Sequence, residues 1–553
     1  MTRGSDTMSA PASAPSPGAA SGEELCTPDS QARSHQRSDV GVCEILARLE
    51  KPGCLLCAEA REARARYFFW FVNESYGELP TITRLQRARG FCLRHTRHLL
   101  ALQATSQTSY TAGYILQACA DWLDAVPSGG SASAKGGLLA LDWLPPSAPC
   151  PACLDDQETV GRYAWFLSNA FRWPEVVACY SHSDGVCFRH FSEAAPLADW
   201  ATLQALVRHQ RERLMAARQA IQGAGNGTQP AAAQDAWRRL FGHDMEAPIR
   251  SCLVAGERGR PPSERSSRPP ATASRAWAPA FEETCRLLEQ PGCHLCRIAA
   301  GARERYLAWF EQEFRDVPQL DYRWNQSRDF CPEHAWLFAA RCSAPVFAAL
   351  GDALLGTALA RLEELERLLE RPIPARVLDR MRMLPARWQE YREPERGEPG
   401  GPVQRVLRTV RSLWTTPRDV LVHLRNRTLR HGRCPVCEHA EQATSRAADR
   451  LLAVIVDPEG CRCFGRSYGT CLPHGALLLA RAHISQVRTA VRDILLARVS
   501  VEHWEVEEWL RKQSWSVRHE ARGTEGTAWQ RAHARIAGAV DEGGVWLLTS
   551  WWH

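Results

Sequence analysis

The chain has 553 residues, 45% of them apolar and 24% charged, a composition that supports two to four domains with real cores and excludes a disordered or fibrous protein. Lys51, Lys135 and Lys512 are the only lysines among 68 basic residues, and the net charge of +6 is too mild to imply general nucleic-acid affinity. With 21 cysteines and no basic, apolar export signal in residues 1–38, the thiols are expected to bind metal in a reducing cytoplasm and not to pair as disulfides. No transmembrane segment is expected, because apolar stretches such as 335–350 are interrupted by Arg341.

Residues 1–40, rich in Ala, Ser, Pro and Gly, read as a disordered tail. From there a spacing repeats four times: a Cys-x-x-Cys pair, then 34 or 35 positions later a Cys-x-x-His pair. The sets are Cys54, Cys57, Cys92 and His95; Cys150, Cys153, Cys187 and His190; Cys293, Cys296, Cys331 and His334; and Cys434, Cys437, Cys471 and His474. A two-residue gap lets two side chains at a turn face one ion, and two such pairs complete the tetrahedral shell that zinc prefers. Four zinc ions per chain are therefore expected, with iron-sulfur the less favoured occupant. Each set supplies four ligands and leaves no position open for water, so catalysis at the metal is not expected.

Each first pair precedes a helical pattern. In module one Ala60, Ala63, Tyr67, Trp70 and Phe71 recur at helical spacing, and in module three Ala299, Ala302, Tyr306, Trp309 and Phe310 do the same. The second pair opens another helix, clearest in Ile484, Val487, Val491, Ile494 and Val499 of module four. A helix of about 18 residues runs roughly 27 Å from its knuckle, so the chain is expected to return and close its own site, giving a helical hairpin pinned at one end. Arg66, Arg162, Arg305 and Arg446, nine positions after the second cysteine, are expected to be at least half buried and to offset thiolate charge. Tyr67, Tyr163 and Tyr306 read as core residues bonded at the rim. Cys179, Cys461 and Cys463 lie near ligands in sequence and raise a thiol-switch alternative.

Modules one and three share Arg64, Tyr67, Trp70, Phe71 and Phe91 with Arg303, Tyr306, Trp309, Phe310 and Phe330, which suggests duplication of a two-module unit. The expected fold is all-α: four tandem zinc-pinned modules in two units, residues 41–224 and 279–515. Residues 225–278, with Pro- and Gly-rich runs, read as a flexible linker carrying one short helix near Trp237, so that each unit buries its own core. The pattern weakens in the tail, residues 516–553. The insert 401–433 holds eight arginines against Asp419 alone, with Val403, Val406, Val410 and Leu413 on one helical stripe. Arg405, Arg408 and Arg411 are its candidate phosphate contacts.

The combination of Cys-x-x-Cys, an Arg-Tyr-x-x-Trp-Phe helix and Phe-Cys-x-x-His resembles an uncharacterised bacterial family, a domain of unknown function. The resemblance is densest around modules one and three, and module four departs from it with Ala447 where the others carry tyrosine. It implies a helical bacterial protein with bound metal and no assigned activity. No Gly-rich phosphate loop, nucleophile elbow or Ser-His-Asp series is present. The expected function is thus a non-catalytic zinc-binding interaction or scaffold protein whose partner is another protein. The alternatives are a nucleic-acid-binding protein using residues 401–433 and a thiol-based redox or metal sensor.

Overall fold

The computed structural model describes residues 40–126, 148–223, 230–243, 278–316, 330–370 and 433–538. As the periodicity predicts, these residues fold into helices, with no strand among them. The first half runs α1 (Val40–Leu49), α2 (Leu55–Asn73), α3 (Leu79–Ala88), α4 (Leu93–Ala101), α5 (Thr105–Ala125), α6 (Pro151–Ala170), α7 (Pro174–His182), α8 (Phe188–Ala194), α9 (Trp200–Gly223) and α10 (Pro230–Phe241). The second runs α11 (Ala278–Leu288), α12 (His294–Asp316), α13 (Pro332–Ala339), α14 (Ala344–Glu370), α15 (Pro435–Val456), α16 (Pro458–Arg466), α17 (Leu472–Arg481), α18 (Ser485–Arg511) and α19 (Ala528–Ala537). Proline opens α6, α7, α13, α15 and α16, where its fixed φ suits the first turn and its missing N–H costs nothing.

The long helices pair across modules. α2 packs along α6, and α12 along α15. Glu59 of α2 meets Tyr163 of α6, while Arg64, further along α2, meets Asp156 near the start of α6, so the two helices run antiparallel. Each therefore begins at one end of the pair. The expected hairpin, in which a chain returns to its own knuckle, does not form: after α2 the chain stays at the far end, where the start of α6 waits for it.

The expectation that each unit buries its own core also fails. α5 packs on α18, and α9 on α14, joining the two halves of the chain. Two apolar cores result, and each draws on both halves. One unites Leu203, Leu206 and Val207 of α9 with Leu350, Leu354 and Leu355 of α14. The other unites Ile115, Leu116 and Leu123 of α5 with Val487, Val491 and Leu495 of α18. α10, inside the stretch read as a linker, inserts Trp237 completely buried between Phe241, Phe338 and Phe347. A chain anchored by a buried indole is not a free tether.

α14 is, among the described residues, the helix long and apolar enough by composition to cross a bilayer, yet its apolar side is spent on this core. The tail also orders: α19 packs on α5 and α18, and His533 bonds through Nε2 to the carbonyl of Thr108, 3.1 Å away. Burial pushes the His533 imidazole down to about 4, from an ordinary 6.5, so the fold holds it neutral. Above pH 6.5 it is neutral folded or unfolded and the fold is at full strength. As pH falls from 6.5 towards 4 the unfolded chain takes the proton first, which costs the fold about 1.4 kcal/mol per pH unit. Unfolding midpoints between pH 6.5 and 5 are thus expected to fall more steeply in the native protein than in His533→Gln. Equal slopes would exclude this histidine as a contributor.

Candidate metal centres

All sixteen cysteine and histidine candidates gather into four clusters, with the ligand atoms of each within 4.8 Å of one another. The pairing, however, is crossed. Centre one joins Cys54 and Cys57 to Cys187 and His190; centre two joins Cys92 and His95 to Cys150 and Cys153; centre three joins Cys293 and Cys296 to Cys471 and His474; centre four joins Cys331 and His334 to Cys434 and Cys437. Each module lends its Cys-x-x-Cys to one centre and its Cys-x-x-His to the other. The antiparallel pairing of α2 with α6, and of α12 with α15, is the reason: a centre at each end staples the start of one helix to the chain arriving from the other.

The local geometry that presents the ligands is the one helix physics favours. Cys54, Cys92, Cys150, Cys187, Cys331, Cys434 and Cys471 each occupy an N-cap, and the partner ligand follows in the first turn. Two helix N-termini thus point at each centre, and their positive ends favour thiolate. Tight entry turns aim the knuckles. Gly90, at φ 85°, and Gly185, at φ 64°, lie two residues before Cys92 and Cys187, and a Cβ there would come within 2.7 Å of Ile536 and 2.8 Å of His209.

A tetrahedral ion bonded to sulfur at about 2.3 Å and nitrogen at about 2.0 Å sets sulfur and nitrogen about 3.5 Å apart and two sulfurs about 3.8 Å apart. In all four centres the histidine Nδ1 faces three sulfurs at 3.1 to 3.5 Å. One Sγ to Sγ separation in each centre measures 3.9 Å in centre one, 3.6 Å in centres two and three and 3.9 Å in centre four. These are the edges of a tetrahedron built for one ion. With all four corners taken by protein, no position is left for a substrate or a reactive water.

The acid-base behaviour of the thiols fits a cation as well. In centre two, hydrogen bonds from Cys150 and Cys153 hold the Cys92 thiol far below the usual range, while its bonds with Cys150 and Cys92 push Cys153 far above it. Centre four divides in the same way: Cys434 goes down and Cys331 up. Three sulfurs in contact cannot all ionise without a cation among them, so metal uptake must release protons and acid must expel the metal.

Behind centre two stands a group that the spacing gave no reason to name. Asp156, 6% exposed, accepts from Arg64 at 3.1 Å and Arg94 at 2.5 Å, and its Oδ2 lies 3.3 Å from Nε2 of His95. The other three modules carry Ala60, Ala299 and Ala440 at that register, and this odd residue out was the available signal. Centre three is held differently. The buried guanidinium of Arg535 pairs with Glu502 and donates to the carbonyls of Tyr468 and Thr470, fixing the turn into Cys471.

Other expectations resolve less evenly. Arg66, Arg162, Arg305 and Arg446 are exposed, not half buried, because they lie on the outer faces of the helix pairs. It is Arg64, two residues earlier, that is buried beside the metal ligands. Trp70 and Trp309, expected between helices, are 48% and 47% exposed; Phe68, Phe71 and Phe310 fill the core instead. Tyr163 is buried and donates to Glu44, as a core tyrosine with a bonded hydroxyl should. Cys463 lies beside Cys285. Arg405, Arg408 and Arg411, with most of the basic insert, lie outside the described residues, as do residues 1–39 and 539–553.

Fold and centres together define an all-helical protein with four Cys3His clusters able to hold metal ions. No family model, curated protein or solved structure matches the chain.

Proposed function

We propose that the chain is a non-catalytic scaffold or interaction protein of a reducing, bacterial cytoplasm, whose four zinc ions are structural members of the fold. The observation that carries this reading is the closure of all four clusters: three sulfurs and one nitrogen at tetrahedral spacing, each centre joining chain segments far apart in sequence. Ligand atoms this close suit a single ion, whereas an iron-sulfur cluster spreads its ligands over separate irons. Among the described residues nineteen cysteines are free of disulfides, which supports the reducing compartment. The exposed Phe69, Trp70, Trp165, Trp309 and Trp504 support the interaction role, since large apolar side chains on an outer surface are the groups a protein partner buries.

Protein purified without chelators should contain four zinc ions per chain by elemental analysis. Because a structural zinc supplies about 10–16 kcal/mol of apparent binding energy in small domains, stripping all four at neutral pH should collapse the helical circular dichroism. A chain free of transition metal that still melts cooperatively, or one rich in iron and inorganic sulfide, would overturn the proposal.

A further inference from the structure

Centres two and four are built alike. In each, a long helix supplies Cys-x-x-Cys (α6 for centre two, α15 for centre four) and a short one supplies Cys-x-x-His (α4 and α13). Their burial differs little: both histidines are buried, while the three cysteines of centre two are half buried and centre four buries Cys434 as well. Shielding from solvent therefore gives centre four no reason to open first.

What differs is the far side of the histidine. With Nδ1 turned to the three sulfurs, the other ring nitrogen carries the proton. His95 presents that N–H to Asp156, whose carboxylate is itself fixed by Arg64 and Arg94. Arg94 Nη2 also lies 3.2 Å from Nε2, but both are donors converging on one carboxylate oxygen. His334 is 3% exposed and its Nε2 has no partner. The residue in the register of Asp156 is Ala440, 7% exposed, which offers no acceptor. Arg303, in the register of Arg64, likewise leaves its buried Nε unpaired. His95, Arg64 and Arg94 converge on one carboxylate at centre two, whereas the Nε2 of His334 and the Nε of Arg303 have no acceptor at centre four.

A carboxylate behind a ligating histidine fixes ring orientation and makes the other nitrogen a stronger donor to the metal, and losing such a partner typically costs 10–100-fold in metal affinity. A buried N–H without an acceptor adds a penalty of its own. We infer that Asp156 is a positioning residue for the metal of centre two, and that centre four, lacking its equivalent, gives up its metal first. The chain then holds metal in two grades, with the exchangeable ion at the junction where Cys331 and Cys434 hold α13 to α15.

This inference rests on the metal reading above, and one experiment separates their failures. The zinc-loaded full chain is exposed to a chelator for graded times, freed thiols are trapped with N-ethylmaleimide, and labelled cysteines are mapped by mass spectrometry. Cys331, Cys434 and Cys437 should label about tenfold or more ahead of Cys92, Cys150 and Cys153. Asp156→Asn should shrink that gap by hastening centre two, and Ala440→Asp should shrink it by slowing centre four. Simultaneous labelling of the two centres in the native chain, or centre two first, overturns the inference whatever the variants do. An Asp156→Asn chain with native circular dichroism and an unchanged gap overturns the role of Asp156. Labelling of all twelve ligand cysteines before any chelator is added would instead defeat the metal reading itself.

Discussion

Cutting the chain once between residues 244 and 277 is expected to leave one particle. The cut falls between halves that share both cores, so freeing them would expose the α5 side chains Ile115, Leu116 and Leu123 and the α18 side chains Val487, Val491 and Leu495. It would also expose the α9 and α14 faces around Leu206 and Leu354, and strand Trp237 without Phe338 and Phe347. Each such side chain contributes about 1.5–3 kcal/mol when fully buried, and the sum exceeds the 5–15 kcal/mol by which domains are usually stable. With a protease site placed in that stretch, the cleaved protein should elute at its full mass and separate only in denaturant, and each half made alone should be insoluble or aggregate. Two halves that each run as soluble folded monomers would restore the separable units that the sequence suggests.

The helices, the sixteen cysteine and histidine residues that gather into clusters and their place at helix starts were legible in the sequence, since each rests on local chemistry: a two-residue gap, an N-cap, a 3.6-residue period. Legibility failed where two arrangements share one local pattern. Cys57 followed 35 positions later by Cys92 reads identically whether those residues meet each other or meet Cys187 and Cys150. Only helix pairing decides, and the apolar stripe of α2 does not say which helix it faces. The same blindness left the short helix expected near Trp237 inside a flexible linker, where flanking Pro- and Gly-rich runs outweighed the indole that buries it. It also placed Trp70 inside: one position on a helix turns about 100°, enough to exchange an exposed Trp70 for a buried Phe71. Asp156 was visible as a departure from alanine, but without the crossed pairing nothing placed it behind His95.

Removing Cys187 is expected to cost the metal that Cys54 and Cys57 need, although the helix they begin lies 130 positions earlier. The buried sulfurs Cys54 and Cys57 would be left with one histidine and no fourth ligand, and α2 would lose its staple to α8. The start of α2 should then open, and with it the contacts of Leu55 and Leu56 in the first core. Centre two, at the other end of the α2 and α6 pair, should keep its ion, because none of its ligands has changed.

The crossed pairing is the claim on which the shared cores, the stapled helix pairs and the two grades of metal all depend. Elemental analysis of two double variants tests it most directly. Cys57→Ser with Cys187→Ser strikes one centre twice and should leave three zinc ions per chain; Cys57→Ser with Cys92→Ser strikes two centres and should leave two. The reverse outcome, two ions in the first variant and three in the second, would show that each module closes on itself and would contradict the account.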